Sequence, residues 1–296
     1  MSLVEKALRK LQQSAAHAGA LPSAVTRGSA VPARPLEVAQ PASPHGDAAI
    51  VVDFALLRAA GLLPPEGEEP RLAQQYRRIK RPLIAAAMGR GGARLPNGHL
   101  ILVASAMPGE GKTFTALNLA LSMSLEKDVH VLLVDADVAK PQISRLLGLD
   151  RSPGLLDVLR DPSLGIEQVI QLTDVPNLSV LPAGAPGADA TELLASARME
   201  QVARTLGEHD RYRIVLFDSP PLLHTTESHI LAQVAGQVVV VVRAEFTPQP
   251  VLLDALKLLE GRPGVSLVLN QSIQSATTAY YYYGYTERPS AADGKT

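Results

Sequence analysis

The chain has 296 residues, 46% of them hydrophobic and 19% charged. That is enough apolar content for one large core with flanking segments, and it excludes a chain disordered throughout. The net charge of −1 gives no electrostatic case for a polyanion partner, and the absence of cysteine excludes disulfides, thiolate metal sites and cysteine nucleophiles, making a reducing compartment the simpler expectation.

In chain order, residues 2–13 read as a short amphipathic helix. Ser2 and Glu5 form a capping-box pattern, and Val4, Ala7, Leu8 and Leu11 share one face. The stretch is too charged for a signal peptide. Residues 14–47 are rich in Ala, Pro, Ser and Gly without a period, which predicts a flexible linker. An apolar patch follows from Asp47 to Leu63, then an acidic cluster at Glu66, Glu68 and Glu69, then a basic helix over 71–88.

From His99 the pattern is regular. Strand-like apolar runs at 100–105, 129–134, 178–181, 213–217, 237–242 and 265–269 alternate with amphipathic segments at 112–125, 140–160, 190–208, 228–234 and 249–260. This predicts an α/β fold, doubly wound, with a mainly parallel sheet and helices on both faces. The apolar runs are strand-length, so no transmembrane helix is expected. After Gln271 a polar tail runs to Thr296. Aromatic residues make up only 4% of the chain, yet five of its seven tyrosines (Tyr280, Tyr281, Tyr282, Tyr283 and Tyr285) fall in this tail. Four consecutive tyrosines cannot alternate in and out as a half-buried strand requires.

The strand ILVAS enters AMPGEGKT and then a helical segment. Gly109 and Gly111 let successive N–H groups turn toward phosphate oxygens, and the helix N-terminus adds partial positive charge. Lys112 can reach the β- and γ-phosphates, and the Thr113 hydroxyl can ligate Mg²⁺. The loop departs from the general pattern at Ala106, where glycine is usual; a negative φ there would accommodate it.

Two further runs, HVLLVDADVAKP and RIVLFDSPP, place Asp135, Asp137 and Asp218 at or just past strand ends. Ligands sit at the carboxyl ends of strands in open parallel sheets, so these carboxylates can converge with the phosphate loop. Singly, each is more often a turn or cap residue. In this order after a phosphate loop, they point to a nucleotide triphosphatase or kinase. Asn270 closes the last strand and suits either an adenine edge or a turn.

Together the A-x-x-P-G-E-G-K-T loop, DADVAKP and VLFDSPP resemble the Walker A, A′ and B motifs of bacterial tyrosine kinases. QQYRRIKR resembles their Glu-x-x-Arg-x-x-Arg oligomerisation helix, and the tyrosine-rich end resembles their autophosphorylation tail. The likeness covers roughly residues 50–285 and is strongest to the exosortase-associated tyrosine autokinases of exopolysaccharide systems.

The resemblance implies a P-loop NTPase-type kinase domain over 48–275, containing the 71–88 oligomerisation helix, and a phosphoacceptor tail over 276–296. It implies ATP and Mg²⁺, with the nucleotide held by Pro108, Gly109, Glu110, Gly111, Lys112, Thr113, Phe114 and Asn270. The metal would be held by Thr113, Asp135, Asp137 and Asp218, and Asp135 would sit near the tyrosine hydroxyl as metal organiser or base. It further implies a homo-oligomeric ring contacted through Gln74, Arg77 and Lys80, and a role in exopolysaccharide synthesis or export. The expected place is the cytoplasm, at the inner membrane face through a separate membrane-bound co-polymerase. Two departures bear on this: Ala139 stands where a basic residue is usual, with Lys140 next to it, and Gln74 replaces Glu.

Two other readings stand beside the kinase. A partition- or division-type ATPase switch shares the core, but its signature lysine position is Met107 here. A nucleotide-bound scaffold gating a membrane partner is the second. Nucleic-acid binding through Arg77, Arg78, Lys80 and Arg81 is not expected, because no stacking motif accompanies the charge run.

Overall fold

The computed structural model describes residues 49–90, 95–208, 210 and 212–272. The expected opening helix and linker, and the tyrosine tail, lie outside the described residues. Helix α1 (Phe54–Ala59) begins at Asp53, whose carboxylate caps it by accepting from the Leu56 N–H at 2.9 Å. Helix α2 (Glu69–Met88) ends at Gly89, which takes the left-handed conformation glycine tolerates.

Seven strands then build one sheet: β1 (Leu100–Ser105), β2 (His130–Asp135), β3 (Gln171–Leu172), β4 (Leu178–Leu181), β5 (Arg213–Asp218), β6 (Gln237–Arg243) and β7 (Val265–Asn270). Their order is β3-β4-β2-β5-β1-β6-β7, parallel throughout except for the β3–β4 pair. The doubly wound, mainly parallel architecture is the one the alternating pattern predicts.

Alternation along the strands feeds two cores. From β1, Leu100, Leu102 and Ala104 face one; Ile101 and Val103 face the other. Against the second face pack α1, α2 and α3 (Lys112–Ser124), through Leu57, Tyr76, Leu83, Ala116 and Met123. Against the first pack α5 (Leu155–Arg160), α8 (Ala197–Glu208), α9 (Glu227–Val234) and α10 (Gln249–Lys257), through Leu156, Val202, Leu231 and Leu252. Strands buried on both faces account for the near-continuous Val, Ile and Leu runs.

Several boundaries differ from expectation. The segment 140–160 is two helices, α4 (Gln142–Leu146) and α5. Gly148 is left-handed, and at Gly154 a Cβ would meet the Pro182 carbonyl at 2.2 Å, so the chain breaks and passes close to the loop after β4. The segment 190–208 splits into α7 (Ala190–Leu194) and α8, because the Ser196 hydroxyl accepts from the Met199 N–H and starts a new helix. The chain also forms the short α6 (Ile166–Val169), and β3, two residues long, is too short to carry a period.

Candidate functional site

β1 and β5 are neighbours, as are β2 and β5, so three strand ends deliver their motifs to one edge. β1 leads into the phosphate loop. β2 ends at Asp135 and β5 at Asp218, paired in register. Asp137 follows one residue past the β2 end motif's Ala136, whose N–H donates to the Asp218 carbonyl at 2.9 Å.

The loop keeps its glycines for definite reasons. Gly109 has φ 78° and Gly111 φ 92°. At Gly111 a Cβ would also stand 2.1 Å from Asn270 Nδ2. Ala106, where glycine is usual, is fully buried and is not in the left-handed region, so its methyl group is accommodated. Pro108 and Gly109 are exposed at the tip, and Gly111 and Thr113 are half-buried.

Glu110 is wholly buried. One carboxylate oxygen accepts from the Met107 N–H at 2.7 Å and the other from the Thr247 hydroxyl, so this side chain braces the loop from within. Asn270 Nδ2 donates to the Glu110 carbonyl at 2.9 Å. The side chains of Glu110 and Asn270 are therefore engaged with protein groups of the loop and its neighbours. Phe114 packs against the core beneath α1 and α3. Thr247, in the β6–α10 connection, is a supporting residue that sequence reasoning missed; nothing in its local pattern distinguishes it.

Lys112 is buried, and desolvation lowers its pKa, opposed by the charges of Asp218, Asp137 and Glu110. Asp135 is fully buried, and burial raises its carboxyl to about 6 against the pull of two Ser144 hydrogen bonds. Asp218 is 1% exposed; burial first, and the Asp135 charge second, push it well above the carboxylate range, with the nearby Thr113 hydroxyl and Lys112 opposing. Neither Asp218 oxygen, nor Asp135 Oδ1, has a hydrogen-bond partner of normal geometry. Asp137 is raised by burial and held down by the Lys140 N–H, Lys112 and the Lys140 ammonium. Lys140, beside the departure at Ala139, thus acts electrostatically on both Asp137 and Lys112.

Orphaned buried carboxylate oxygens are costly unless a cation or donor meets them. Their placement beside a phosphate loop fits a divalent cation bound together with a nucleotide. Among the described residues no three His, Asp or Glu side chains cluster as a self-sufficient metal site.

Helix α2 divides the three residues expected at an oligomer contact. Gln74 and Arg77 are exposed. Lys80 is buried: its ammonium donates to the Ser122 carbonyl and pairs with Glu126 at 2.8 Å. Helical spacing explains this correction, because Lys80 shares the inward face with Tyr76, Leu83 and Ala87. From the acidic cluster, Glu69 pairs within the chain with Arg58 at 3.0 Å. The tail tyrosines lie outside the described residues.

Residues 98–260 match the family described as AAA domain. The chain is 32% identical over 214 residues to the tyrosine-protein kinase YwqD of Bacillus subtilis, covering 72% of this chain and 86% of YwqD. It is 35% identical over 205 residues to EpsB of Ralstonia nicotianae, covering 65% of this chain and spanning 27% of that longer relative. Among solved structures, the BceF tyrosine kinase domain is similar with a TM-score of 0.58 and 27% identity, covering 73% of this chain and 86% of that one.

Proposed function

The chain belongs to the bacterial tyrosine kinase family, and on that footing we propose that it transfers the γ-phosphate of ATP to tyrosines of its own C-terminal tail, regulating exopolysaccharide synthesis or export. The observation that carries this reading is the convergence of the phosphate loop with the orphaned carboxylate oxygens of Asp218 and of Asp135 Oδ1 at one sheet edge.

Phosphoryl transfer depends chiefly on positioning and on neutralising the triphosphate. The loop amides and Lys112 bind and orient the β- and γ-phosphates. Thr113, Asp137 and Asp218 would hold Mg²⁺, which would supply charge neutralisation at the phosphates when bound, leaving Asp135 as the base. The phenol has a reference pKa near about 10 and is protonated at neutral pH. Asp135, with one buried oxygen unengaged, accepts its proton. The tyrosine oxygen then bonds to the γ-phosphorus as the bond to the bridging oxygen breaks, releasing ADP.

The acceptors are Tyr280, Tyr281, Tyr282, Tyr283 and Tyr285. Nine residues from Gln271 to Tyr280 span about 30 Å when extended, enough to enter a neighbouring subunit's site. We assign the exposed Gln74 and Arg77 of α2 to the contact between copies, in a ring that works with a separate membrane-bound co-polymerase. No helix among the described residues is long and apolar enough to cross a membrane, and recruitment to the inner face would come from that partner.

The test is incubation of the full chain with ATP and Mg²⁺, followed by phosphotyrosine detection and mass spectrometry of the tail, with Lys112→Met as control. Tail phosphotyrosine that vanishes in the control supports the reading. Bound ATP without any phosphotyrosine favours a nucleotide-bound scaffold instead.

A further inference from the structure

Asp135 is anchored through one oxygen only. Its Oδ2 accepts from the Ser144 backbone N–H and from the Ser144 hydroxyl, each at 2.7 Å. The hydroxyl oxygen in turn accepts from the Ala183 N–H at 3.0 Å. An amide N–H can only donate, and a carboxylate only accepts, so the hydroxyl proton has one direction left to point. Ser144 receives from Ala183 and gives to Asp135. Oδ2 is therefore a double acceptor, and a proton arriving at this carboxylate goes to Oδ1.

Three segments meet at Ser144, which is itself 2% exposed: the end of β2, the first turn of α4 and the loop after β4. That loop is firmly tied. The Leu155 and Leu156 N–H groups donate to the Pro182 and Ala183 carbonyls at 2.8 and 3.0 Å. Asp157 Oδ2 accepts from Gly154 and Ala185 at 2.9 and 3.1 Å. The Ala183 N–H is thus held in place by the neighbouring helix, and it fixes the Ser144 hydroxyl.

We propose that Ser144 is a positioning residue for phosphoryl transfer, its hydroxyl locking the Asp135 carboxylate so that Oδ1 is presented to the incoming tyrosine. The proposal rests on the kinase reading above, in which Oδ1 takes the phenolic proton. Of the proposed catalytic residues Ser144 bonds to Asp135, and it exchanges no proton with substrate. Without the hydroxyl, one N–H donor remains on Oδ2, and rotation about the soft terminal torsion of the aspartate is resisted by one bond instead of two.

The experiment compares Ser144→Thr with Ser144→Val in the full chain. The two side chains are close in shape and differ in the hydroxyl, so a packing effect moves both alike. The measurements are the initial rate of tail phosphotyrosine formation over a range of ATP, fluorescent-nucleotide affinity and the thermal melt. The expected result is a kcat about 10- to 100-fold lower for the valine than for the threonine variant, the range typical of lost orienting contacts, with nucleotide affinity within about twofold. Equal kcat in the two variants overturns the proposal. Should neither β-branched variant melt cooperatively, Ser144→Ala decides: a fall in kcat with nucleotide affinity intact supports the proposal, and an unchanged kcat overturns it. Wild-type chain that binds ATP but forms no phosphotyrosine refutes the kinase reading and the proposal together; an active wild type with indifferent variants refutes the proposal alone.

Discussion

Replacing Asp218 by Asn should stabilise the metal-free protein while abolishing the kinase activity proposed above. The carboxylate is 1% exposed, neither oxygen has a hydrogen-bond partner of normal geometry, and Asp135 stands opposite it in register. The scale follows from Asp135, whose carboxyl is raised from 3.8 to about 6. A shift of about 2 units at about 1.4 kcal/mol each is roughly 3 kcal/mol against the folded, ionised state. Asp218 lacks the two Ser144 bonds that relieve Asp135, so its penalty is no smaller in kind. Asparagine keeps the shape, removes the charge and can donate to the orphaned Asp135 oxygen. Since its own amide is incompletely satisfied, the net gain should be about 1–3 kcal/mol, or roughly 2–12 °C in Tm for a domain of this size.

The assay is a thermal melt in EDTA without nucleotide, from pH 5 to 8. A carboxyl whose folded pKa is raised contributes stability below its unfolded value, and that stability is lost as pH rises through the folded value. The wild type should therefore weaken from about pH 4 upward relative to D218N, and the gap should be widest at pH 8. Adding Mg²⁺ and ADP should raise the wild-type melt and leave D218N nearly unmoved. A variant that melts at or below wild type at pH 8 in EDTA would refute the reasoning.

Other substitutions test the supports around the site. Lys80→Met should cost about 1–3 kcal/mol by removing the donor to the Ser122 carbonyl and the Glu126 pair, and should leave oligomer mass by light scattering unchanged. Arg77→Ala, on the exposed face, should lower oligomer mass with the monomer melt shifted by less than about 0.5 kcal/mol. Gly111→Ala should weaken nucleotide binding at least 10-fold in a titration, because φ is 92° and the new methyl meets Asn270. Asn270→Ala in the same chain should recover only part of that loss, since the backbone strain remains.

The strands were legible because burial on both faces writes unbroken apolar runs, and β1 and β4 match their predicted limits. The breaks within 140–160 and 190–208 were not, because they depend on the approach of Gly154 to the Pro182 carbonyl and on a serine cap, neither of which alters hydrophobic period. At the site, the glycine-bounded loop marked Lys112, and strand ends marked Asp135, Asp137 and Asp218, as residues that could meet at one edge. What the motifs could not convey was how the intervening side chains are engaged. Glu110 turns into the loop to meet Thr247, 137 residues away in sequence, and Asn270 reaches back to the Glu110 carbonyl. Ser144 looks like an ordinary helix serine until the Ala183 N–H is seen to donate to it. Lys80 is the instructive error. Its place in a basic run suggested a surface, whereas its helical phase with Tyr76 and Leu83 dictated burial.

The scarcity of tyrosine in the folded domain bears directly on where phosphate can go. Of the seven tyrosines, only Tyr76 and Tyr212 fall among the described residues. Tyr76 is 5% exposed in the core beneath α2, and burial raises its phenol far above the usual range. It presents no hydroxyl to an incoming nucleotide while the domain stays folded. Tyr212 is partly exposed, but it precedes β5, whose far end carries Asp218. Six residue steps at about 3.3 Å each put roughly 20 Å between Tyr212 and Asp218. On the kinase reading, neither tyrosine can therefore serve its own folded domain, and that reading requires acceptors from the tail or from another molecule. A chain lacking residues 276–296 should bind nucleotide as tightly as the full protein and form no phosphotyrosine on itself. Phosphate found on Tyr212 in the truncated chain would show that the domain accepts segments well outside the tail, and would move the acceptor argument from proximity to recognition.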